Sequence, residues 1–324
     1  MHRNLQSFFP AVDEYLTDEL YLTRQWVRHK LQLLEKTVMK LYFDNNVFAD
    51  LAFRRIPDAD ESLHKINKAV NSKMIMIVPS LEIFEELIPV SQKDENQFKK
   101  RWQSMHKLVN WSNTLKYANE LLKDDFVCFA NTGQADNPYI TRKTPYYEAI
   151  DNLANMTEPP SSDTLQQITQ QIYIAKGNFA YVINQAGKDW YGKVIFPKND
   201  NFERYWSETM GPNTDEFTSY PKMMVNYLAE SLGIAEACQA RGLDQLLSLP
   251  TVLLSIGYWA HSWFDQVTKG RKEKPSAEYD FRHCILAAAV GTFVTGDSDL
   301  CHTIREIPGH KVNVRSLSEL ISTL

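Results

Sequence analysis

Two short apolar runs, far apart in the chain, each end in an acid. Near the carboxyl end, Phe293-Val294-Thr295 leads through Gly296 into Asp297-Ser298-Asp299-Leu300. Near the start, Leu41-Tyr42-Phe43 leads into Asp44-Asn45-Asn46. Runs this short and this apolar suit strands buried on both faces of a parallel sheet. In such a sheet the acids that follow two parallel strands meet at the carboxyl edge, where open α/β folds place their sites. Carboxylates gathered there repel one another unless a divalent cation joins them. The pattern therefore predicts metal-dependent chemistry.

The flanking sequence has the rhythm of a strand-and-helix fold. Val38 to Phe43 reads as a strand and Asn46 to Arg54 as a helix, broken at Pro57-Asp58. Glu61 to Ser72 reads as a second helix and Met74 to Val78 as a buried strand. Pro79-Ser80 then opens a helix through Leu87, with Ser80 as its N-cap. At the other end, Glu278 to Val290 fits a helix, Thr292 to Thr295 a strand, Asp299 to Glu306 a helix and Lys311 to Val314 a strand. Ser316-Leu317-Ser318-Glu319 has the capping-box form and opens a last helix. Strands alternating with helices predict βαβ units.

Between these ends the pattern changes. Residues 93–275 carry helical periodicity and many aromatics. Phe98, Trp102, Met105, Val109 and Ser112 recur at helical spacing, and Leu165 to Ile183, Tyr220 to Leu232 and Thr251 to Val267 read as helices. Residues 11–37 also read as a helix, with a basic middle at Arg24, Arg28, His29 and Lys30. The expected organisation is an N-terminal helical extension (1–36), a first part of an α/β core (37–92), a helical insertion (93–275) and the second part of the core (276–324).

Composition narrows the class. With 324 residues, 44% hydrophobic and 23% charged, the chain can bury a substantial core. No apolar stretch is long enough to span a bilayer, and the first ten residues lack a secretory h-region. The 4 cysteines form no C-x-x-C pair, which makes a cysteine-bound zinc or a disulfide framework improbable and suggests a cytoplasmic protein without a membrane partner. A net charge of −5 argues against a general nucleic-acid coat but leaves room for local basic patches.

Four acids stand out by placement: Asp44, Glu86, Asp280 and Asp297, with Asp299 two residues beyond the last. An all-oxygen set of this kind suits Mg2+ or Mn2+, which take carboxylates, water and substrate phosphate as ligands. Local explanations compete with this one. Asp280 could cap its own helix, and Asp299 could cap the helix that carries Leu300. Glu85 and Glu86 could form a solvated face. Asp44 has less local reason to follow a buried strand. Around these acids, Asn46 could orient Asp44 or cap a helix, and Thr295 could bond an acid or close a turn. His283, one turn after Asp280, could face the acids or simply pack. Lys269, Arg271, Lys272 and Lys274 form a basic loop that could contact phosphates. Lys99, Lys100 and Arg101 stand beside Trp102, which, like Trp111, is expected in the core rather than stacked on bases.

These pieces resemble the PIN-domain nucleases. Asp44-Asn45-Asn46 resembles the family's opening motif. Ser80 with Glu86-Leu87 is similar to its second, Asp280 with the Ala-rich helix to Ala289 to its third, and Thr295-Gly296-Asp297-Ser298-Asp299 to its fourth. The likeness covers roughly residues 37–92 and 276–324. The chain departs from the family in the long helical block and in Asn45, where the family has Thr or Ser. Glu85 remains a substitute for Glu86, because both share one helix. The resemblance implies a three-layer α/β/α fold with a central parallel sheet. It further implies metal ligation by Asp44, Glu86, Asp280 and Asp297 with help from Asp299, and hydrolysis of RNA as an endoribonuclease. It makes a toxin or defence effector plausible, with a protein inhibitor or antitoxin, or a second copy of the chain, as partner. A DNA nuclease of the same fold and a non-catalytic scaffold are the alternatives.

Overall fold

A computed structural model describes residues 38–56, 58–141, 147–156, 158–175, 201–211, 214, 219–270 and 277–324. The expected helix over residues 11–37 and the end of the one expected over Leu165 to Ile183 lie outside them.

Four strands form one parallel sheet: β1 (Met39–Phe43), β2 (Ile75–Val78), β3 (Thr292–Val294) and β4 (Asn313–Arg315), in the order β2-β1-β3-β4. Leu41, Tyr42 and Phe43 of the central strand are fully buried, which is why that run shows no polar alternation. Register puts Tyr42 beside both Val78 and Phe293, and Phe43 beside Val294. The carboxyl ends of β1 and β3 are thus level, and Asp44 and Thr295 follow them side by side. From β1 the chain crosses to β2 on one side, while β3 and β4 lie on the other. The boundary between β1 and β3 is therefore the switch point where an open sheet leaves a crevice.

Helices cover both faces and make three layers. The first are α1 (Asn45–Phe53), α2 (Ala59–Asn71), α3 (Leu81–Lys93) and α4 (Glu95–Leu108). A helical block follows: α5 (Ala118–Thr132), α6 (Tyr147–Asn155), α7 (Ser162–Ala175), α8 (Phe202–Thr209), α9 (Tyr220–Ser231), α10 (Ala235–Arg241), α11 (Leu243–Leu247) and α12 (Pro250–Lys269). The chain then returns through α13 (Ala277–Val290), α14 (Ser298–Glu306) and α15 (Leu317–Thr323). Helix α13 packs on β1 and β3, α2 on β2 and α14 on β4, and α12 lies along α13. The large helical insertion is thus in contact with the sheet's own helices.

Several local expectations need correction. Helix α3 runs to Lys93, past Leu87 and through Pro89, so proline does not end it. Ser80 stands at its N-cap position but makes no capping bond, because its hydroxyl lies 3.2 Å from the Tyr42 hydroxyl. The last strand is Asn313–Arg315 and starts two residues later than expected. Ser112 does not continue the α4 stripe. Val109 ends that helix, and Ser112 sits exposed in a 3-10 turn. The segment around Val109 bridges in parallel to Ile77 and covers the free edge of β2. Ser316 and Glu319 do form the capping box.

Candidate functional site

At the switch point lies a pocket of about 290 Å³, and its walls come from four separated segments. Asp44 and Asn45-Asn46 enter from the β1–α1 junction, Glu86 and Pro89 from α3, Tyr279, Asp280 and His283 from α13, and Asp297 and Leu300 from the β3–α14 junction. The four acids singled out by placement therefore line one cavity. Asp299 is exposed on the first turn of α14 and is not part of the wall.

Asp44 and Asp297 are held by the helix starts and strand ends that they join. Asp44 does have a local reason to follow β1: its Oδ1 caps α1 by accepting from the Val47 amide at 2.9 Å. Its Oδ2 accepts from the Thr295 hydroxyl, and Thr295 Oγ1 in turn accepts from the Asp297 amide at 2.9 Å. Thr295 therefore joins the two strand ends. Asp297, not Asp299, caps α14, with Oδ1 accepting from the Leu300 amide at 2.9 Å. Asp44 is only 3% exposed, and burial pushes its carboxyl up to about 6. The Thr295 bond, the His283 charge and the Val47 bond oppose that shift.

Glu86 meets His283. The His283 Nε2 lies 2.6 Å from Glu86 Oε1, and its Nδ1 lies 2.8 Å from the Tyr42 hydroxyl, which itself reaches Ser80. Burial works against a charged imidazole here, but Glu86, Asp44 and Glu82 outweigh it and raise its pKa to about 9. At neutral pH both ring nitrogens then donate, Nε2 to Glu86 and Nδ1 to Tyr42, leaving the Tyr42 hydroxyl to donate to Ser80. Tyr42 is pushed well above the usual phenol range, first by its own burial.

Glu85, the substitute for Glu86, is committed elsewhere. It is buried, and Arg282 Nη1 donates to its Oε2 at 2.6 Å. Arg282 also bonds Glu278 and lies over the rings of Tyr117 and Tyr279. Adjacent helix positions diverge by about 100°, so Glu85 and Glu86 face different neighbours. Glu82 is fully buried and accepts from the Ala118 amide at 2.6 Å, at the first turn of α5. Asn46 is exposed on the pocket rim, and Asp44, not Asn46, caps α1. Of the basic loop, Arg271, Lys272 and Lys274 lie outside the described residues, and Lys269 is paired with Asp265 at 2.7 Å.

Sequence reasoning missed Tyr42 and gave His283 a packing role first. Tyr42 reads as one more apolar strand residue, and nothing local marks its hydroxyl. His283 carried a signal, since it lies three residues from Asp280 and shares its helix face. The two tryptophans behave as expected: Trp102 is buried and Trp111 stacks on Phe84 with ring centres 5.6 Å apart.

The donor set is suited to a hard divalent cation. Besides the carboxylates, the pocket holds Asn45, whose Oδ1 is buried without a hydrogen-bond partner. The spacing is another matter. Among the described residues, no three His, Cys, Asp or Glu side chains stand close enough together to hold a metal ion. No helix among them is long and apolar enough to cross a membrane. Compared with protein-family profiles, with curated proteins and with solved structures, the chain gives no significant match. The fold and the pocket define an α/β/α protein with a small parallel sheet and an acidic crevice at its carboxyl edge.

Proposed function

We propose that the crevice is the site of a metal-dependent nuclease of the PIN-like type, and that its substrate is RNA. The observation that carries this reading is the convergence of Asp44, Glu86, Asp280 and Asp297, distant in sequence, on one pocket at the switch point. To hold Mg2+ or Mn2+ those four acids would have to draw together from their spacing in this structure, and the ion would then supply an activated water and charge stabilisation for phosphodiester hydrolysis.

The chain's own residues have definable parts. Thr295 fixes the relative position of Asp44 and Asp297 through its two bonds. His283 orients Glu86 and offsets part of the pocket's negative charge. Tyr42 and Ser80 fix the imidazole from behind. Asn45 offers a neutral oxygen to the cavity. Among the described residues that line the pocket there is no serine, threonine, cysteine or lysine, and the reading takes water as the attacking group.

The test is cleavage of structured RNA, single-stranded RNA and DNA with magnesium, manganese or chelator, beside Asp297→Asn. We expect cleavage of RNA that needs metal and falls at least about 100-fold in the variant, as for loss of a principal electrostatic group. Equal cleavage by both proteins would overturn the site. Preferential cleavage of DNA would keep the fold and change the substrate.

A second reading is favoured by one observation: three of the four acids already satisfy caps or a histidine, and no close ligand set forms among the described residues. In that reading the protein is a PIN-like scaffold whose helical block binds a partner protein. Absence of cleavage together with no manganese binding by calorimetry would establish it over the nuclease. The toxin or defence role, with an inhibitor or a second copy as partner, belongs to the nuclease reading. Growth arrest on expression, relieved by Asp297→Asn, would support it.

A further inference from the structure

The pocket is acidic, and a polyanionic substrate would be repelled from it unless cations nearby hold its backbone. The basic loop near Lys269 does not supply them among the described residues, since Lys269 is already paired. The other end of α1 does. Arg55, Lys100 and Arg101 converge there on the ring of Phe53, at 5.2, 5.9 and 5.9 Å from its centre. Two neighbouring cations sit in contact ion pairs, whereas these three feel Asp50 and Asp94 only from beyond contact distance. Arg54 is paired with Asp60 at 3.1 Å and Lys99 with Glu95 at 2.6 Å. None of Arg55, Lys100 and Arg101 has a carboxylate within 4.0 Å among the described residues.

Three like charges gathered on one ring repel one another, and an aromatic face offsets this only in part. Arg101 adds a second, independent sign. It is half-buried, and its Nε is buried with no acceptor. That donor is unfavourable where it stands, and a shift of the guanidinium toward an arriving anion would give it an acceptor. A planar guanidinium donates to phosphate oxygens in a geometry that ammonium groups lack.

The position fits the pocket. Asn46 is on the pocket rim and Phe53 lies seven residues on along the same helix, so the two are about 10 Å apart. Asp50 lies between them, and its carboxylate feels Arg55 and Arg101, while Arg101 also feels Glu86. A backbone held at Phe53 would thus reach the crevice within a few nucleotides.

We propose that Arg55, Lys100 and Arg101, clasped on Phe53 at the far end of α1, form a phosphate-binding ledge that holds the backbone of the polynucleotide whose scissile bond enters the acidic pocket. It rests on the nuclease reading for the direction of the strand, but not for the anion chemistry of the ledge itself.

The experiment separates the two. Fluorescence anisotropy measures binding of a labelled single-stranded RNA to the full chain in EDTA, where metal-dependent cleavage cannot occur. Wild type is compared with Arg55→Ala/Lys100→Ala/Arg101→Gln and with Lys68→Ala/Lys73→Ala/Lys311→Ala, which removes the same number of cations elsewhere. The ledge variant should bind about 10- to 100-fold more weakly, and its slope of log affinity against log salt should shrink by about 2. Arg55→Ala/Lys100→Ala, which changes only exposed residues, should shrink the slope by about 1.4 and guards against a folding defect at Arg101.

Equal losses in the ledge and control variants, or no binding by wild type, would overturn the ledge. So would a thermal shift with inorganic phosphate that the ledge variant abolishes, if wild type does not bind RNA, because the site would then take free phosphate. Manganese-dependent cleavage of the same RNA is scored separately. Ledge-dependent binding without cleavage leaves the ledge standing and removes the nuclease.

Discussion

Glu85 and Glu86 are neighbours on one helix, and their charges are handled in opposite ways. Glu85 turns to Arg282, a buried cation that also holds Glu278 and lies over two tyrosine rings. That side is closed: opposite charges meet and aromatic faces exclude water. Glu86 turns to the crevice, where Asp44, Asp280 and Asp297 also stand and His283 is the basic side chain of the wall. That side is open, and four carboxylates line it beside one histidine. Gathering acids there is costly for Asp44, whose carboxyl is pushed up to about 6 by burial and by Glu86 against the Thr295, His283 and Val47 interactions. Glu86 is paired as well, with His283, but it stands among three further acids, and the proposed site rests on that gathering.

The largest break in this comparison comes from the closed side. Arg282→Met strands a buried Glu85 and should destabilise the protein by about 3–5 kcal/mol, read from urea unfolding. Adding Glu85→Leu should recover most of that loss, since an apolar pair of similar volume replaces a balanced one. Neither change should abolish manganese binding if Glu86 belongs to the pocket. Loss of manganese binding in the folded double variant would show that the two sides are not separate.

The comparison also shows why the sequence carried the fold further than the site. The strands β1 and β2 are legible because continuous apolar runs between polar helices have few other uses. The layered architecture follows from their alternation with helices. The choice between Glu85 and Glu86 is not legible, because the partner that decides it, Arg282, comes almost two hundred residues later and is set by how α13 lies on α3. Ser80 holds the expected N-cap position but makes no capping bond, for the same reason. Its hydroxyl is taken by Tyr42, across the sheet, rather than by its own helix. Asp44 and Asp297 read as site acids and prove to be helix caps as well. The two roles are compatible, because a cap uses one carboxylate oxygen and leaves the other to its neighbours.

On the open side, His283 makes a pH prediction. Its imidazole goes from an ordinary 6.5 to about 9 in the fold. The stabilisation is therefore fully present below pH 6.5 and is lost as pH rises through 9. In chelator, unfolding free energy should fall by about 2–3 kcal/mol across that window. Glu86→Gln should flatten the dependence, because the largest of the charges that favour the imidazolium is gone. A wild-type curve already flat over this range would mean that the crevice does not hold His283 charged.

The smallest effect sharpens the comparison most. Asp44 has its pKa raised from 3.8 to about 6, so the folded state holds a proton that the unfolded state lacks between those values. Stability through this group falls as pH rises from 3.8 to 6, and above that the ionised carboxylate is a standing cost. Asp44→Asn keeps an oxygen for the Val47 amide and removes the charge, and asparagine caps helices as well as aspartate does. In chelator at neutral pH the variant should be more stable than wild type, by about 1–2 kcal/mol, since its new amide hydrogens need acceptors near Thr295. Manganese should then invert the order. A bound cation stabilises the wild type in proportion to its affinity, about 2.7 kcal/mol at a hundred times the dissociation constant, and leaves the variant behind. Thermal melts with and without manganese read both halves. Equal stabilisation of the two proteins by manganese would place the cation away from Asp44. A variant no more stable than wild type in chelator would mean that the open side is as well balanced as the closed one.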